Sequence, residues 1–232
     1  MERKTERLNK FLALQLGVSR RQADELIERG RISINDKTAK LGARFENDDT
    51  IKLGEKIISK NPEEKVYLLF NKPRSFVCSR KKQGENETIY AILPKEFHNL
   101  KPVGRLDKDS SGLLLLTNDG DFAFQMTHPK FRKIKEYLVS LDTPLQPIHQ
   151  QMIADFGINL PDGKSQLGLE RLDDSRKKWK VVMSEGRNRQ IRRTFSAVGY
   201  EVQELHRIVF GSYILPKDLN FGDFRKIKKT II

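Results

Sequence analysis

No apolar run in the chain approaches the roughly 18 residues of a membrane span, and two of the most apolar stretches, 66–70 and 113–116, are only of strand length. A polypeptide of this kind must build its core from many short elements packed on one another. The four leucines at 113–116 are the more informative stretch. They follow a charged loop bracketed by Gly104 and Gly112, so a buried strand carries Arg105-Leu106-Asp107-Lys108-Asp109-Ser110-Ser111 on its lip. A rigid scaffold can present a carboxylate to a substrate from such a lip. Taken alone, Asp107 or Asp109 reads more readily as a turn cap.

The flanking patterns divide the chain. Leu8, Phe11 and Leu12 form an apolar stripe that stops at Gly17. Ser19 and Gln22 have capping-box spacing, and Ala23, Leu26 and Ile27 give a second helix its buried face before Gly30. Ile32 and Ile34 alternate with polar residues ahead of an Asn35-Asp36 turn, which predicts helix, turn, helix and short strands to about Ile58. The polar stretch SKNPEEK at 59–65 marks a boundary, with one domain over 1–60 and a second over 61–232. The second alternates expected strands at 75–79, 113–118, 136–141, 178–184 and 201–209 with helices at 147–155 and 188–198. An Asp119-Gly120 turn and a loose basic end at 225–229 complete it. This order predicts an α+β fold, a mixed and mainly antiparallel sheet with flanking helices.

Lys and Arg number 44 against 31 Asp and Glu, a formal net charge of +13, which calls for an anionic partner such as nucleic acid or an acidic membrane surface. On the polar side of the first two helices, Arg3, Lys4, Arg7, Lys10, Arg20 and Arg21 are interleaved with acids, so a solvated face and a phosphate-binding face are both open readings. The charge is more focused at 185–193, EGRNRQIRR. There Ile191, Phe195 and Val198 form a buried stripe, while Arg189, Arg192 and Arg193 gather where a helix N-terminus already favours anions. Tyr137, in KEYLV, reads by itself as an amphipathic strand residue.

The single cysteine, Cys78, excludes an internal disulfide, and four histidines offer no zinc-binding spacing. Neither a Gly-rich dinucleotide loop nor a phosphate-cradling lysine loop is present. The start MERKTERLNK lacks the apolar core of a signal peptide, so a cytoplasmic protein is expected.

In this order and separation, GRLDKDSSGLLLLTNDG, KEYLV and EGRNRQIRR resemble the three motif regions of the pseudouridine synthases that modify ribosomal RNA. The segment RLNKFLALQLGVSRRQADELIERGRISIND resembles the small RNA-binding module shared with ribosomal protein S4. The combination is similar to the bacterial ribosomal RNA synthases that carry this module, and the resemblance covers nearly the whole chain. It implies isomerisation of uridine to pseudouridine with extrusion of the base, without metal or cofactor. It makes Asp107 the catalytic carboxylate, expected to be buried and suited to attack the sugar or to remove a sugar proton. It sets Tyr137 on the target base, Ile191 as the base's apolar neighbour, Arg192 as the basic partner of Asp107, and Arg105 in the gap left by the extruded base. Arg189, Arg193 and the module's Arg3, Lys4, Lys10, Arg20 and Arg21 are expected to touch RNA. Arg189 stands where many members carry histidine, a variant closer to the large-subunit enzymes, whereas Glu204-Leu205-His206-Arg207 is closer to the small-subunit ones. The expected partner is ribosomal RNA, naked or in a pre-ribosomal particle, met by a monomer away from membranes. A non-catalytic ribosome-assembly factor and a synthase acting on transfer RNA are the alternative readings.

Overall fold

Helix α1 (Leu8–Gln15) is followed by α2 (Arg20–Glu28), whose start is fixed by a reciprocal cap. The Ser19 hydroxyl accepts from the Gln22 N–H at 3.2 Å, and the Gln22 side chain accepts from the Ser19 N–H at 2.9 Å. Gly17 and Gly30, both with φ of +66°, turn the chain left-handed after each helix. Strands β1 (Ile32–Ile34), β2 (Lys37–Thr38), β3 (Ile51–Leu53) and β4 (Lys56–Ile57) form an antiparallel sheet in the order β2-β1-β3-β4. Leu8, Phe11, Leu12, Ala23, Ile27, Ile32 and Ile51 close the core between helices and sheet. The computed structural model describes residues 5–59, 64–80 and 84–230, so Arg3 and Lys4 lie outside the described residues. The chain divides into two units, Met1–Glu64 and Lys65–Ile232.

The second unit holds β5 (Tyr67–Lys72), β6 (Lys101–Val103), β7 (Ser111–Thr117), α3 (Gly120–Thr127), β8 (Lys135–Leu141), α4 (Pro147–Gln151), β9 (Gly168–Arg171) and β10 (Lys178–Met183). They are followed by α5 (Gln190–Ser196), β11 (Val202–Phe210), β12 (Tyr213–Ile214) and β13 (Phe224–Lys226). Nine of these strands form one sheet in the order β9-β10-β8-β11-β7-β5-β13, with β6 also on β7 and β12 on β11. The sheet is antiparallel except for β7 against β11.

Strand β7 is buried on both faces, which is why its sequence is continuously apolar rather than alternating. Leu114 and Leu116 join Phe70, Tyr137, Trp179 and Phe195 on one side; Leu113 and Leu115 pack with Phe122, Met126, Phe210 and Tyr213 on the other. Along one edge β7 changes partner. Ser111 and Gly112 pair with His206 and Arg207 of β11, whereas Leu115–Thr117 pair with β6. The sheet parts between these two partners, and the loop 104–110 joining β6 to β7 rises at the parting.

Gly112 permits the approach of β11. Its φ is +103°, and a Cβ built there would lie 2.3 Å from the Arg207 carbonyl oxygen and 2.6 Å from the Arg207 nitrogen. Gly112→Ala is expected to cost about 3 kcal/mol or more in denaturant unfolding, strain and overpacking acting together. A loss below about 1 kcal/mol would show that the two strands separate freely.

Several sequence expectations are corrected. The stretch 75–79 is a loop with a single bridge, Val77 to Thr88, and Ser75 turns left-handed at φ +76°. Asp119 is not a turn residue but the cap of α3, its carboxylate accepting from the N–H groups of Asp121 and Phe122. The helix at 147–155 begins as α4 and widens into a π-helical turn at Met152–Phe156. The basic end is no loose tail, because β13 pairs along β5. Among the described residues, no helix is long and apolar enough to cross a membrane.

Candidate active site

The main chain of the loop 104–110 is held from below. Lys72, at the end of β5, is fully buried, and its ammonium donates to the carbonyls of Pro73, Asp107 and Ser110 at 3.0, 3.1 and 2.8 Å. Burial pushes its pKa down, and the nearby negative charge of Asp107 and Asp109 opposes that only partly. The Asp109 carbonyl accepts from Arg74 at 3.2 Å and Arg192 at 3.0 Å, and the Lys108 carbonyl accepts from the Ser75 N–H at 2.7 Å. With its carbonyls engaged in this way, the loop presents its carboxylates outward.

Asp107 is therefore not buried: its side chain is 34% exposed, with the Arg189 guanidinium 3.8 Å away. Asp109 receives a two-point contact from Arg189 at 3.0 and 2.9 Å, and Arg192 Nε lies 3.2 Å from it. Burial alone would raise the Asp109 pKa, but the Arg189 hydrogen bonds and the Arg192 charge override it and hold the carboxyl below its ordinary value. The expected pairing of Arg192 with Asp107 is thus corrected. Arg192 is spent on Asp109 and on the Val202 carbonyl, and the cation beside Asp107 is Arg189. Arg189 reaches there from a left-handed position (φ +45°) immediately before α5.

Asp107 opens on a cavity of about 450 Å³. Arg105, Tyr137, Arg189 and Ile191 line it, so four of the sequence-predicted residues meet Asp107 there. Tyr137 (8% exposed) and Ile191 belong to the apolar wall, whereas Arg105 is exposed at the lip. Arg193 is elsewhere. It makes a two-point contact with Asp162 at 3.1 and 2.7 Å, and Arg187 grips the same turn through the Asp162, Gly163 and Lys164 carbonyls. Two of the four arginines at 187–193 therefore fasten the hairpin in which Ile158–Leu160 pairs with Gly163–Ser165, and the focused field expected at the helix start is reduced accordingly.

In the N-terminal unit, Arg20 and Arg21 are exposed and Lys10 is half-buried. Arg20 donates to Asn9 at 2.9 Å, and Lys10 lies 4.0 Å from Glu6.

Sequence reasoning missed Lys72, Lys135 and Arg207. Arg207 is 2% exposed; its Nε donates to the Leu113 carbonyl at 2.8 Å and its guanidinium lies 4.7 Å from the Phe210 ring centre. Lys135 also lines the cavity, and burial, helped by the neighbouring charge of Arg207, lowers its pKa to about 8. The available signal was a charged residue at the end of an apolar strand, as in Leu-Leu-Phe-Asn-Lys72 before Pro73.

Residues 66–197 match the family model described as RNA pseudouridylate synthase, and residues 6–51 match the S4 domain. The chain is 34% identical to the ribosomal large subunit pseudouridine synthase B of Bacillus subtilis, over 96% of this chain and 92% of that one. It is 35% identical to the ribosomal small subunit pseudouridine synthase A of Haemophilus influenzae, over 97% of each. A crystal structure of a pseudouridylate synthase superposes with a TM-score of 0.68 at 34% identity, covering 96% of both chains.

Proposed function

The chain belongs to the RNA pseudouridylate synthase family, and from that premise we propose that it isomerises a uridine of ribosomal RNA to pseudouridine, with Asp107 as the catalytic carboxylate. The observation that carries this reading is the clamped loop: Asp107 stands on an immobilised main chain, at the mouth of a cavity of about 450 Å³ with Tyr137 in its wall. The net reaction breaks the bond between the sugar's anomeric carbon and N1 of uracil and forms one from that carbon to C5. The proton lost from C5 is balanced by one gained at N1, so neither a redox partner nor a phosphoryl donor enters.

A uridine in folded RNA must first leave its stack, at a cost of roughly a few kcal/mol. Tyr137 and Ile191 receive the extruded base, and Arg105, exposed at the lip, fills the vacated place. Arg189 takes the role expected of Arg192, holding positive charge beside Asp107. Residues 1–60 serve as the RNA-binding domain, where Lys10, Arg20 and Arg21 meet phosphates, and residues 61–232 as the catalytic one. The enzyme works as a monomer in the cytoplasm, on naked RNA or a pre-ribosomal particle.

The test is to incubate the full chain with ribosomal and transfer RNA transcripts and map pseudouridine by carbodiimide modification and primer extension. One new stop in a ribosomal RNA is expected. A stop only in transfer RNA would move the substrate, and none in either would overturn the enzyme reading in favour of an assembly factor.

A further inference from the structure

Beside the cavity of Asp107 lies a second one, lined in part by the turn after α3. Phe124 and Phe131 are 47% and 37% exposed, and His128 is exposed with them. The Phe124 and His128 rings meet at 4.7 Å and the two phenylalanines at 5.8 Å, with Lys130 Nζ 5.3 and 4.7 Å from the two phenyl centres. A clustered, solvent-facing aromatic group of this kind marks a contact surface.

Phe131 also forms a wall of a cavity of about 320 Å³ with Gln125, Met126, Lys133 and Lys229. Met126 and Lys133 line the Asp107 cavity as well, so the two share a wall. From Phe122 to Lys135 the sequence contains Lys130, Arg132, Lys133 and Lys135 and no acid. Two carboxylates precede this stretch, Asp121 directly before it and Asp119, which is 3.6 Å from Lys229. Exposed rings beside the ammonium groups of Lys130 and Lys133 suit single-stranded nucleic acid, because every base has a π-face and every linkage a negative charge.

We propose that this groove is a stacking subsite for a nucleotide neighbouring the extruded uridine, with Phe131 taking the base and Lys130 and Lys133 the adjoining phosphates. This rests on the pseudouridine synthase reading and extends it. The Gln125 amide, which can both donate and accept, faces the same space and would meet the edge of that base.

The test is fluorescence anisotropy of the full chain with two labelled probes of equal length, an oligouridine decamer and a ribose-phosphate decamer without bases. Phe131→Ala is expected to weaken oligouridine binding about tenfold and leave the abasic probe unchanged. Phe131→Tyr, which keeps the π-face, is expected to bind both probes as the wild type does. Lys130→Met is expected to weaken both probes and to flatten the salt dependence. Equal losses on the two probes, or no loss on oligouridine with Phe131→Ala, would overturn the subsite; the second outcome would leave the aromatic face to a protein partner. Pseudouridine mapping of the wild type is a separate readout, so failure of the enzyme reading and failure of the subsite are distinguishable.

Discussion

Asp107→Asn is expected to lower the rate of pseudouridine formation at least about 10³-fold under single turnover, while affinity for the same RNA stays within a few-fold. The asparagine has the shape of the aspartate but can neither attack the sugar nor hold a proton taken from it. Little else should move. The loop's main chain is held by Lys72 through the Asp107 and Ser110 carbonyls, which the substitution leaves in place, and Arg189 keeps its two-point contact with Asp109. Thermal unfolding of the variant should therefore match the wild type. Turnover within tenfold of the wild type would transfer the role to Asp109, the other outward carboxylate of the loop.

Lys72→Met is expected to damage both stability and rate. Each charge-assisted hydrogen bond from the ammonium contributes about 1.5–3 kcal/mol, and methionine leaves three carbonyls short of a donor. Relief of the desolvation penalty offsets part of this, so a net loss of about 3 kcal/mol is expected by denaturant unfolding. A loop displaced by 1 Å costs on the order of 10² in rate, so turnover should fall by at least that factor in protein that is still folded. The pH dependence separates this variant from a simple packing defect. Because burial lowers the Lys72 pKa, the unfolded chain binds that proton more tightly than the folded one, so this group makes wild-type stability rise as pH approaches 10.5. The variant should lack that rise. An unchanged melting temperature together with unchanged turnover would mean that the loop holds its shape without the lysine.

Much of this molecule is legible in its sequence, for local reasons. The Ser19 and Gln22 cap, the glycines closing α1 and α2, and the leucine strand each depend on residues within a few positions of one another. The gathering of Asp107, Tyr137 and Ile191 is not local, and the motif resemblance supplied it. The pairing of the arginines was not legible. Arg189 and Arg192 lie one helical turn apart, and which of them faces Asp107 depends on the left-handed residue that starts α5 and on Asp109 competing for both. Arg193 looked like a phosphate ligand because its partner, Asp162, lies 31 positions away in a hairpin with no charge pattern of its own. Lys72 was invisible because a lysine at a strand end ordinarily reaches solvent, and only the returning loop encloses it.

The parting of the sheet beside β7 bears on the order in which activity is acquired during synthesis. The contacts of β7 with β5 and β6 lie within one stretch of chain, but those with β11 span about 95 positions, as in the bond from Arg207 to the Leu113 carbonyl. A ribosome that has just added Leu116 has supplied Asp107 and its lysine support, but neither Arg189 nor the strand that closes the other side of the gap. The carboxylate therefore stays without its cationic neighbour until the last fifth of the protein is made, so the site is completed late in synthesis.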